Sequence, residues 1–491
     1  MKNSSNILLV GVGPHAQRFY LPSFASLARQ YDVRLKAVVE IHGNEEHVKF
    51  HLSELRLDAE ILCVQPFSEE MPEDVAAKLK MLIERLQIGA VIIATDPLSH
   101  KSYAIWAVSS GLHVLLDKPI TSRRDAVNCT EQAKGIETDY FDLAKAYRDL
   151  IQKEPRAFIV CAHRRYHPGI QAVIDRIRMV SSQTGCPVTA IHAHHSDGQW
   201  RLPNEMVTQD HHSYHQGHGK ASHSGHHFFD CIYRFFQAGI TPGKEPDAFR
   251  VYASFVQPHG HLMQLTQEDY ARLFGSDYQR VRQWTDLELF SLFQHYGELD
   301  IAAVITFLKK SIPVCLSSVE LLHNGFSRRS SVIPGKDLYK GNGRVKHEQH
   351  RIHVGPFFAA HIHSYQAKDN HYRSSKVDQE PGGNNHFQIT YFNNSEMLPG
   401  TNPVEHYNLT DLATFDETRL HIEEVKEGVV REFFQCLCGQ ADPLHSRSSL
   451  LDHLVPIQML SGVYRSHVQT LQNQDPTVLF PFLPEASSHA C

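Results

Sequence analysis

Short apolar runs alternate with segments of helical spacing through the first 120 residues of the chain. Four runs contain few polar positions, at residues 6–10, 34–40, 90–95 and 113–116, and a segment of helical spacing at 15–29 follows the first of them. A fifth run of this kind lies further along the chain, at residues 157–162. Strands buried on both faces have this pattern, which is typical of a parallel sheet covered by helices. The alternation predicts a doubly wound α/β domain, which we place at residues 1–165.

The pattern changes after about residue 187. Strand-like runs then follow one another with few helices between them: residues 188–192, 251–256, 300–307, 351–363 and 386–392. In the last run Phe387, Ile389 and Tyr391 alternate with polar residues, as in a sheet with one covered face. We therefore expect an α+β domain with a large, mostly antiparallel sheet at residues 166–447.

Helical spacing returns near the end of the chain. Apolar residues from Ile422 to Leu437 form a stripe of helical period, and Gly439 is expected to end that helix. A further helical segment at residues 448–491 is expected to pack back on the first domain.

Composition narrows the class of protein. The 491 residues carry a net charge of −6, which argues against a nucleic-acid-binding surface. No apolar run reaches the roughly 20 residues that span a bilayer, so we expect no membrane partner. Nine scattered cysteines, an odd number, suit reduced thiols in a cytoplasmic protein.

A glycine-rich turn follows the first predicted strand and opens the first predicted helix. Gly11 permits a tight turn, Gly13 lets the backbone approach a pyrophosphate, and the small Ala16 permits close packing of helix and strand. Glu40 ends the second strand, where its carboxylate can accept hydrogen bonds from an adenosine ribose and repel a 2′-phosphate. The turn predicts a dinucleotide site that prefers NAD, with NADP less favoured.

Three further segments extend this interpretation. Residues 94–100 read Ala-Thr-Asp-Pro-Leu-Ser-His, residues 111–120 read Gly-Leu-His-Val-Leu-Leu-Asp-Lys-Pro-Ile, and residues 217–230 carry a spaced Gly, Gly, His, Gly, His and Asp pattern. With these motifs the chain resembles the glucose–fructose oxidoreductase/inositol dehydrogenase/rhizopine catabolism (Gfo/Idh/MocA) family. The resemblance implies an N-terminal Rossmann domain, a C-terminal domain on a large sheet, and an active site between them.

The resemblance also implies roles for individual residues. Lys118 matches the catalytic lysine of the family and His227 its late histidine, while His223 stands where the family usually has aspartate and is the third expected catalytic residue. The residues expected to bind the cofactor are Gly11, Gly13, His15, Ala16, Glu40, Thr95, His100, Asp117 and Lys118. The residues expected to contact substrate are His163, Arg165, Trp200 and Arg201.

Histidines, 35 in the whole chain, cluster between residues 192 and 227. Their spacings would suit a transition metal, but no cysteine lies among them and the family generally needs no metal. We therefore predict no functional metal there. Relative to the family the chain has insertions near residues 258–298 and 325–385, which either cap a pocket or extend an oligomer interface. The family also implies a homodimer or homotetramer.

The leading hypothesis is an NAD-dependent oxidoreductase acting on a hydroxyl or carbonyl carbon of a sugar, cyclitol or related metabolite. Its partner is then a small molecule that is polyhydroxylated or bears a carbonyl group. The alternatives are redox-neutral, NAD-dependent glycoside cleavage, imine reduction in natural-product biosynthesis, and an inactive nucleotide-binding sensor. Retained Lys118 and His227 argue against the sensor, whereas His223 in place of aspartate argues mildly for it.

Overall fold

The computed structural model describes residues 3–333, 343–367, 385–413 and 421–482. Contacts within the chain divide it into two compact units. The first unit comprises residues 1–122, 136–167 and 415–454, and the second comprises residues 123–135, 168–414 and 455–491, each within the described ranges.

A parallel sheet forms the centre of the first unit. Its six strands, counted over the described residues, lie in the order β3-β2-β1-β4-β5-β6, and every neighbouring pair is parallel. The strands are β1 (Asn3–Val10), β2 (Arg34–Ile41), β3 (Glu60–Val64), β4 (Ile88–Ile93), β5 (His113–Leu116) and β6 (Phe158–Val160). This confirms the predicted doubly wound domain. The short β3 was not predicted, so the run at residues 90–95 belongs to the fourth strand and not the third.

Helices connect these strands. The first begins with one π-helical turn, Ala16–Tyr20, and continues as α1 (Leu21–Leu27). The others are α2 (Glu45–Glu54), α3 (Glu73–Arg85), α4 (His100–Ser109) and α5 (Thr130–Ile151), the last of which contributes residues to both units.

The C-terminal helix α14 (His421–Leu437) belongs to the first unit, which differs from the boundaries at 165 and 447 that we expected. Its apolar stripe, which includes Val429, Phe433 and Phe434, joins one buried cluster with Ile7 and Phe24. Helix α15 (Leu454–Leu471) lies almost entirely in the second unit. That the segment 448–491 packs back on the first domain stays a prediction.

A nine-stranded sheet, counted over the described residues, forms the second unit, in the order β14-β13-β12-β11-β7-β10-β9-β8-β15. Only the pairing of β7 with β10 is parallel among these strands, which confirms a mostly antiparallel sheet. The strands are β7 (Ala190–Ser196), β8 (Ala248–Val256), β9 (Asp300–Lys309), β10 (Ile312–Leu322), β11 (Val345–Val354), β12 (Phe358–Ala367), β13 (Asn385–Asn393), β14 (Val404–Asn408) and β15 (Val478–Pro481).

Residues 351–363, predicted as one strand, are two. Strands β11 and β12 form a hairpin whose turn contains Gly355 at φ +50°. The apolar alternation resumes in phase after the turn, which hides the break in the sequence. Strand β10 was also not predicted.

Helices cover one face of this sheet and surround the loop that follows β7. They are α6 (Pro168–Thr184), α7 (Pro203–Thr208), α8 (His226–Ala238), α9 (Pro258–Gln264), α10 (Gln267–Phe274), α11 (Ser276–Val281), α12 (Asp286–Phe293) and α13 (Leu409–Leu412). The insertion near 258–298 thus consists of the four short helices α9–α12. The insertion near 325–385 holds β11 and β12, and its residues 334–342 and 368–384 lie outside the described residues.

None of the helices in the described part of the chain is both long and apolar enough to cross a membrane.

Candidate active site

The turn after β1 has the geometry that its glycines predict. Gly11 has φ +87°, and a Cβ there would lie 2.6 Å from the carbonyl oxygen of Ala94, so only glycine fits. Gly13 differs, because a Cβ added there meets no atom within 4 Å. Ala16 is fully buried at the start of the helix, where a larger side chain would push the helix from the sheet.

Glu40 lies directly beside this turn. One carboxylate oxygen, Oε2, accepts the Val12 N–H at 2.7 Å, and the other, Oε1, accepts the Ile41 N–H at 2.8 Å. Two backbone donors therefore orient the carboxylate at the end of β2. The Asn44 side-chain amide also donates to Oε1, at 3.4 Å, and the carboxylate can still accept hydroxyl groups through its other lone pairs.

Asp117 and Lys118 follow β5 at the same carboxyl edge of the parallel sheet. Asp117 is buried, and its Oδ1 accepts the backbone N–H of Lys118 at 2.8 Å. Burial alone would raise the pKa of Asp117, but the charges of His15, Lys118 and His100 outweigh it and the pKa is lowered. His15 Nε2 lies 3.8 Å from Asp117 Oδ2, an ion-pair distance that is too long for a hydrogen bond.

His100 connects two of the strand ends. Its Nδ1 lies 2.7 Å from the carbonyl oxygen of Pro119 and its Nε2 lies 3.2 Å from that of Thr95. Burial lowers the pKa of His100, so the neutral ring donates to one carbonyl, and the shorter contact assigns Nδ1–H to Pro119. His100 thus holds the backbone that follows Lys118 and is itself 1% exposed. Thr95 is half-buried, and its Oγ1 accepts from Ser99 Oγ at 2.9 Å.

The two substrate candidates of the first unit lie in the turn after β6, and both are buried. The guanidinium of Arg165 donates to the carbonyl oxygens of Arg447 at 3.0 Å and Asp452 at 3.3 Å. These bonds attach residues 447–452 to the turn and favour a structural role for Arg165. His163 is 8% exposed, and its contact with substrate stays a prediction.

The motif at residues 217–230 forms a tightly packed loop and helix start in the second unit. His223 lies in a π-helical turn, Ala221–Gly225, and His227 lies in the first turn of α8. The His223 ring centroid is 4.6 Å from that of His212 and 5.8 Å from that of Tyr214. Gly219 has no room for a Cβ, which would lie 2.0 Å from the carbonyl oxygen of Glu298.

A buried charge cluster lies next to this loop. Lys220, 1% exposed, donates through Nζ to Asp197 Oδ2 at 3.1 Å, and Arg344 Nε donates to Asp197 Oδ1 at 3.0 Å. Burial lowers the pKa of the Lys220 amine, although Asp197 acts in the opposite direction. Lys220 is therefore a buried amine with a lowered pKa inside the motif itself, and such groups suit proton transfer.

Glu298 fixes the backbone of the motif loop. Its Oε1 accepts the Ala221 N–H at 2.7 Å and the Tyr464 hydroxyl at 2.9 Å, and the residue is fully buried. Burial raises the pKa of Glu298 to about 7. The carboxyl group therefore changes charge near neutral pH while it holds the loop that carries His223.

Trp200 and Arg201 follow β7, and Trp200 packs against the insertion. The Trp200 ring packs against Tyr270 and Phe274 of α10, with ring centroids 6.3 Å and 5.6 Å away. Arg201 is 5% exposed, and its Nη2 donates to Gln199, whereas its Nε and Nη1 are buried without a hydrogen-bond partner among the described residues. Burial lowers the pKa of Arg201 to about 10.

The neighbouring carboxylate of Glu205 is already engaged. Arg329 donates to it twice, at 2.6 Å and 2.7 Å, and Leu202 N–H donates at 2.9 Å. Arg201 is therefore a buried cation whose charge the nearest acids do not fully compensate.

Residues 5–139 match the sequence profile of GFO_IDH_MocA, described as an oxidoreductase family with an NAD-binding Rossmann fold. The match spans the glycine turn, Glu40 and Lys118. Residues 5–139 form an NAD-binding Rossmann domain similar to those of the Gfo/Idh/MocA oxidoreductases.

Solved structures resemble the chain over nearly its whole length. One is a levoglucosan dehydrogenase with NADH and L-sorbose, at TM-score 0.57 and 13% identity, covering 98% of this chain and 100% of that one. An aldose-aldose oxidoreductase from Caulobacter crescentus with glycerol gives TM-score 0.52 and 13% identity, covering 97% and 99%. An oxidoreductase from Agrobacterium radiobacter with NAD+, L-tartaric acid and magnesium gives a TM-score of 0.54 at 11% identity. The match covers 96% of this chain and 97% of that one. At such identities these likenesses establish the fold. No curated protein matches the sequence.

The residues of this Rossmann domain fit a dinucleotide. The open space beside Gly13, the backbone turn at Gly11 and the oriented carboxylate of Glu40 provide room for a pyrophosphate and acceptors for a ribose. Gly11, Gly13, Thr95, Asp117 and Lys118 follow strands at one edge of the sheet, and Glu40 is the penultimate residue of β2 at the same edge.

The sequence analysis missed part of the second unit's chemistry. Lys220 lies at a position where the 217–230 motif accepts any residue, so the motif did not single it out. What distinguishes Lys220 is its burial, which the sequence does not show. The ion pair of Arg344 with Asp197 joins residues 147 positions apart, and no local pattern indicates it. Glu298 follows a helical insertion and has no motif of its own.

Proposed function

We propose that the protein is an NAD-dependent dehydrogenase or reductase acting on a hydroxyl or carbonyl carbon of a polyhydroxylated small molecule, such as a sugar or cyclitol. The observation that carries the cofactor preference is the pair of backbone bonds that orient Glu40 beside the glycine turn. A carboxylate held in this way accepts ribose hydroxyls and repels a 2′-phosphate. The ligands of the similar structures, which are L-sorbose, glycerol and L-tartaric acid, support a substrate with several hydroxyl groups.

In the first unit we assign proton transfer to Lys118. Oxidation of an alcohol removes the hydroxyl proton, and reduction of a carbonyl supplies one. When bound, NAD supplies the hydride acceptor, or the donor in its reduced form. Asp117 accepts the Lys118 backbone N–H and His100 binds the next carbonyl, so the backbone of the lysine is fixed on both sides.

In the second unit the candidates for proton transfer are His227 and His223, together with the buried amine of Lys220. Arg201 is the candidate for binding substrate oxygens, because two of its guanidinium nitrogens are without partners among the described residues. A guanidinium in this state gains most from an oxygen acceptor, since it has already lost its hydration.

The first test measures cofactor preference. NADH is expected to bind more tightly than NADPH in a fluorescence titration. Glu40→Ala is expected to weaken NADH binding and to reduce the difference in affinity between NADH and NADPH. Glu46→Ala, which removes an exposed glutamate on α2, serves as the matched control and should change neither. Tighter binding of NADPH by the unaltered protein would contradict the assignment of Glu40.

The second test identifies the substrate. Sugars, cyclitols and amino-sugar derivatives are screened with NAD for net NADH formation. Consumption of a glycoside without net NADH would instead support redox-neutral cleavage. Failure of the whole panel to yield turnover in either direction would contradict the proposed substrate class.

We also propose a homo-oligomer formed through the second unit's sheet. Tyr252 and Val304 are paired across β8 and β9 and are 45% and 46% exposed, so the uncovered face has an apolar patch. Light scattering is expected to give a dimer or tetramer, and Val304→Asp should shift it toward the monomer. A monomeric unaltered protein would contradict this proposal.

A further inference from the structure

Three potential metal ligands lie close together in the first unit, where β2 and the neighbouring strand β3 end. They are His42, Glu45 and Cys63, and their donor atoms all lie within 4.8 Å of one another. His42 Nδ1 is 3.4 Å from Glu45 Oε1. Among the described residues, these three form the group of potential ligands that lie close enough together to share one ion. None of the three belongs to the histidine cluster at 192–227.

The fold itself brings these residues together. Strand β2 ends at Ile41, Gly43 turns the chain at φ +96°, and α2 begins at Glu45. Cys63 comes from the neighbouring strand β3, where it pairs with Glu40. The ligands are therefore contributed by the ends of two adjacent parallel strands and the turn between β2 and α2.

One ligand is already oriented. The backbone N–H of Gly43 donates to Glu45 Oε2 at 2.8 Å, which leaves Oε1 directed toward His42. Such an outer hydrogen bond to a ligating carboxylate is a recurrent feature of metal sites. It reduces the conformational freedom that the carboxylate would lose on binding an ion.

The chemistry of the three donors selects the metal. An imidazole nitrogen, a carboxylate oxygen and a thiolate sulfur together suit Zn²⁺, whereas Mg²⁺ and Ca²⁺ prefer oxygen alone.

We propose that His42, Glu45 and Cys63 form a zinc site in which water completes the coordination. The site does not depend on the proposed catalytic function, because none of its ligands is assigned to cofactor or substrate. It lies next to Glu40 in the sheet, so an ion there is an immediate neighbour of the segment that holds the adenosine side of the dinucleotide site.

The test must separate this site from adventitious binding by the many histidines. Metal-free protein is titrated with Co²⁺, which replaces Zn²⁺ and gives a charge-transfer absorption band only when a thiolate binds it. The expected result is a thiolate band that saturates at one ion per chain and disappears on addition of Zn²⁺.

Cys63→Ser should abolish the band, and His42→Ala should weaken Co²⁺ binding by at least about tenfold. The matched control is Cys129→Ser, which removes a partly exposed cysteine that also lies near a glutamate, with Cys129 Sγ 3.4 Å from Glu131. It should leave the band intact. Circular dichroism of each variant checks that the fold is retained. Absence of a thiolate band in the unaltered protein, or its persistence in Cys63→Ser, would overturn the proposal.

Discussion

The two units build their candidate functional residues in different ways. In the first unit the important atoms are backbone groups and short side chains at strand ends, such as the Gly11 turn and the bonds from Val12 and Ile41 to Glu40. In the second unit they are long charged side chains buried together, with Asp197 between Lys220 and Arg344. The first arrangement leaves room for a ligand, while the second fills its space with ion pairs.

This difference predicts whether the removal of a carboxylate lowers ligand affinity or lowers the stability of the fold. A carboxylate at a partly exposed strand end costs little to remove, because water replaces its partners. A carboxylate between two buried cations is expensive to remove, because the cations stay behind without compensation. The same type of residue should therefore act mainly on cofactor affinity in one unit and mainly on folding in the other.

The largest expected effect concerns the glycine turn. Gly13→Val should abolish binding of NADH and NADPH, because its side chain enters the open space beside the backbone where the pyrophosphate would lie. Fluorescence titration measures the loss. Gly260→Val is the control, since a Cβ at that glycine of the second unit makes only an ordinary 3.5 Å contact with Val256. Unchanged NADH binding by Gly13→Val would show that the turn does not hold the cofactor.

The next effect concerns proton transfer. Lys118→Ala should lower kcat by about 10² to 10⁴, the usual contribution of a positioned acid or base, with NADH binding nearly unchanged. His227→Ala should have an effect of similar size. Steady-state kinetics on the substrate from the screen measures both, with the exposed Lys78→Ala as control. Turnover of Lys118→Ala at the rate of the unaltered protein would refute its assignment.

A third prediction compares the two units directly. Asp197→Asn should destabilise the second unit by about 3–5 kcal/mol, because Lys220 and Arg344 are left as buried charges without a carboxylate. Glu40→Gln should cost less than about 1 kcal/mol, since the amide oxygen still accepts a backbone hydrogen bond. Urea unfolding measures both. Equal losses from the two substitutions would remove the distinction between the units.

The smallest effect is the pH dependence due to Glu298. Its pKa of about 7 in the folded protein lies above that of an unfolded glutamate, so the folded state binds one proton more between the two values. The free energy of unfolding should therefore fall as pH rises from about 4.5 to 7, by roughly 3 kcal/mol from this group.

Glu298→Gln keeps an acceptor for Ala221 and Tyr464 but cannot ionise, so this part of the slope should vanish. Urea unfolding at several pH values compares it with Glu268→Gln, a substitution at an exposed glutamate of α10. If the two variants have identical pH dependence, Glu298 does not titrate in this range.

The sequence predicted those features that depend on local order. The alternation of apolar runs predicted five of the parallel strands, and the spacing of Gly11, Gly13 and Ala16 predicted the turn, because adjacent residues determine both. Short β3 was missed because five residues with one charged end give little pattern. The β11–β12 hairpin was merged because its turn keeps the phase of the alternation.

The remaining features depend on distant parts of the chain. Arg344 is paired with Asp197 across 147 positions, and Glu298 is placed against Ala221 by packing of the insertion. The domain boundaries depended on where the apolar face of α14 packs, and its sequence shows that the face exists but not which partner covers it. Long-range pairing of this kind is a property of the folded chain and leaves no local signal.

The position of α14 in the first unit has a consequence during synthesis. The cluster that holds Ile7 and Phe24 is completed by Phe433 and Phe434, so the earliest part of the chain must wait for one of the last. The ribosome delivers nearly all of the second unit in the meantime. Until then the surface that α14 covers is exposed in the nascent chain, where chaperones can bind it. Chains truncated before residue 421 lack α14 and should therefore be degraded.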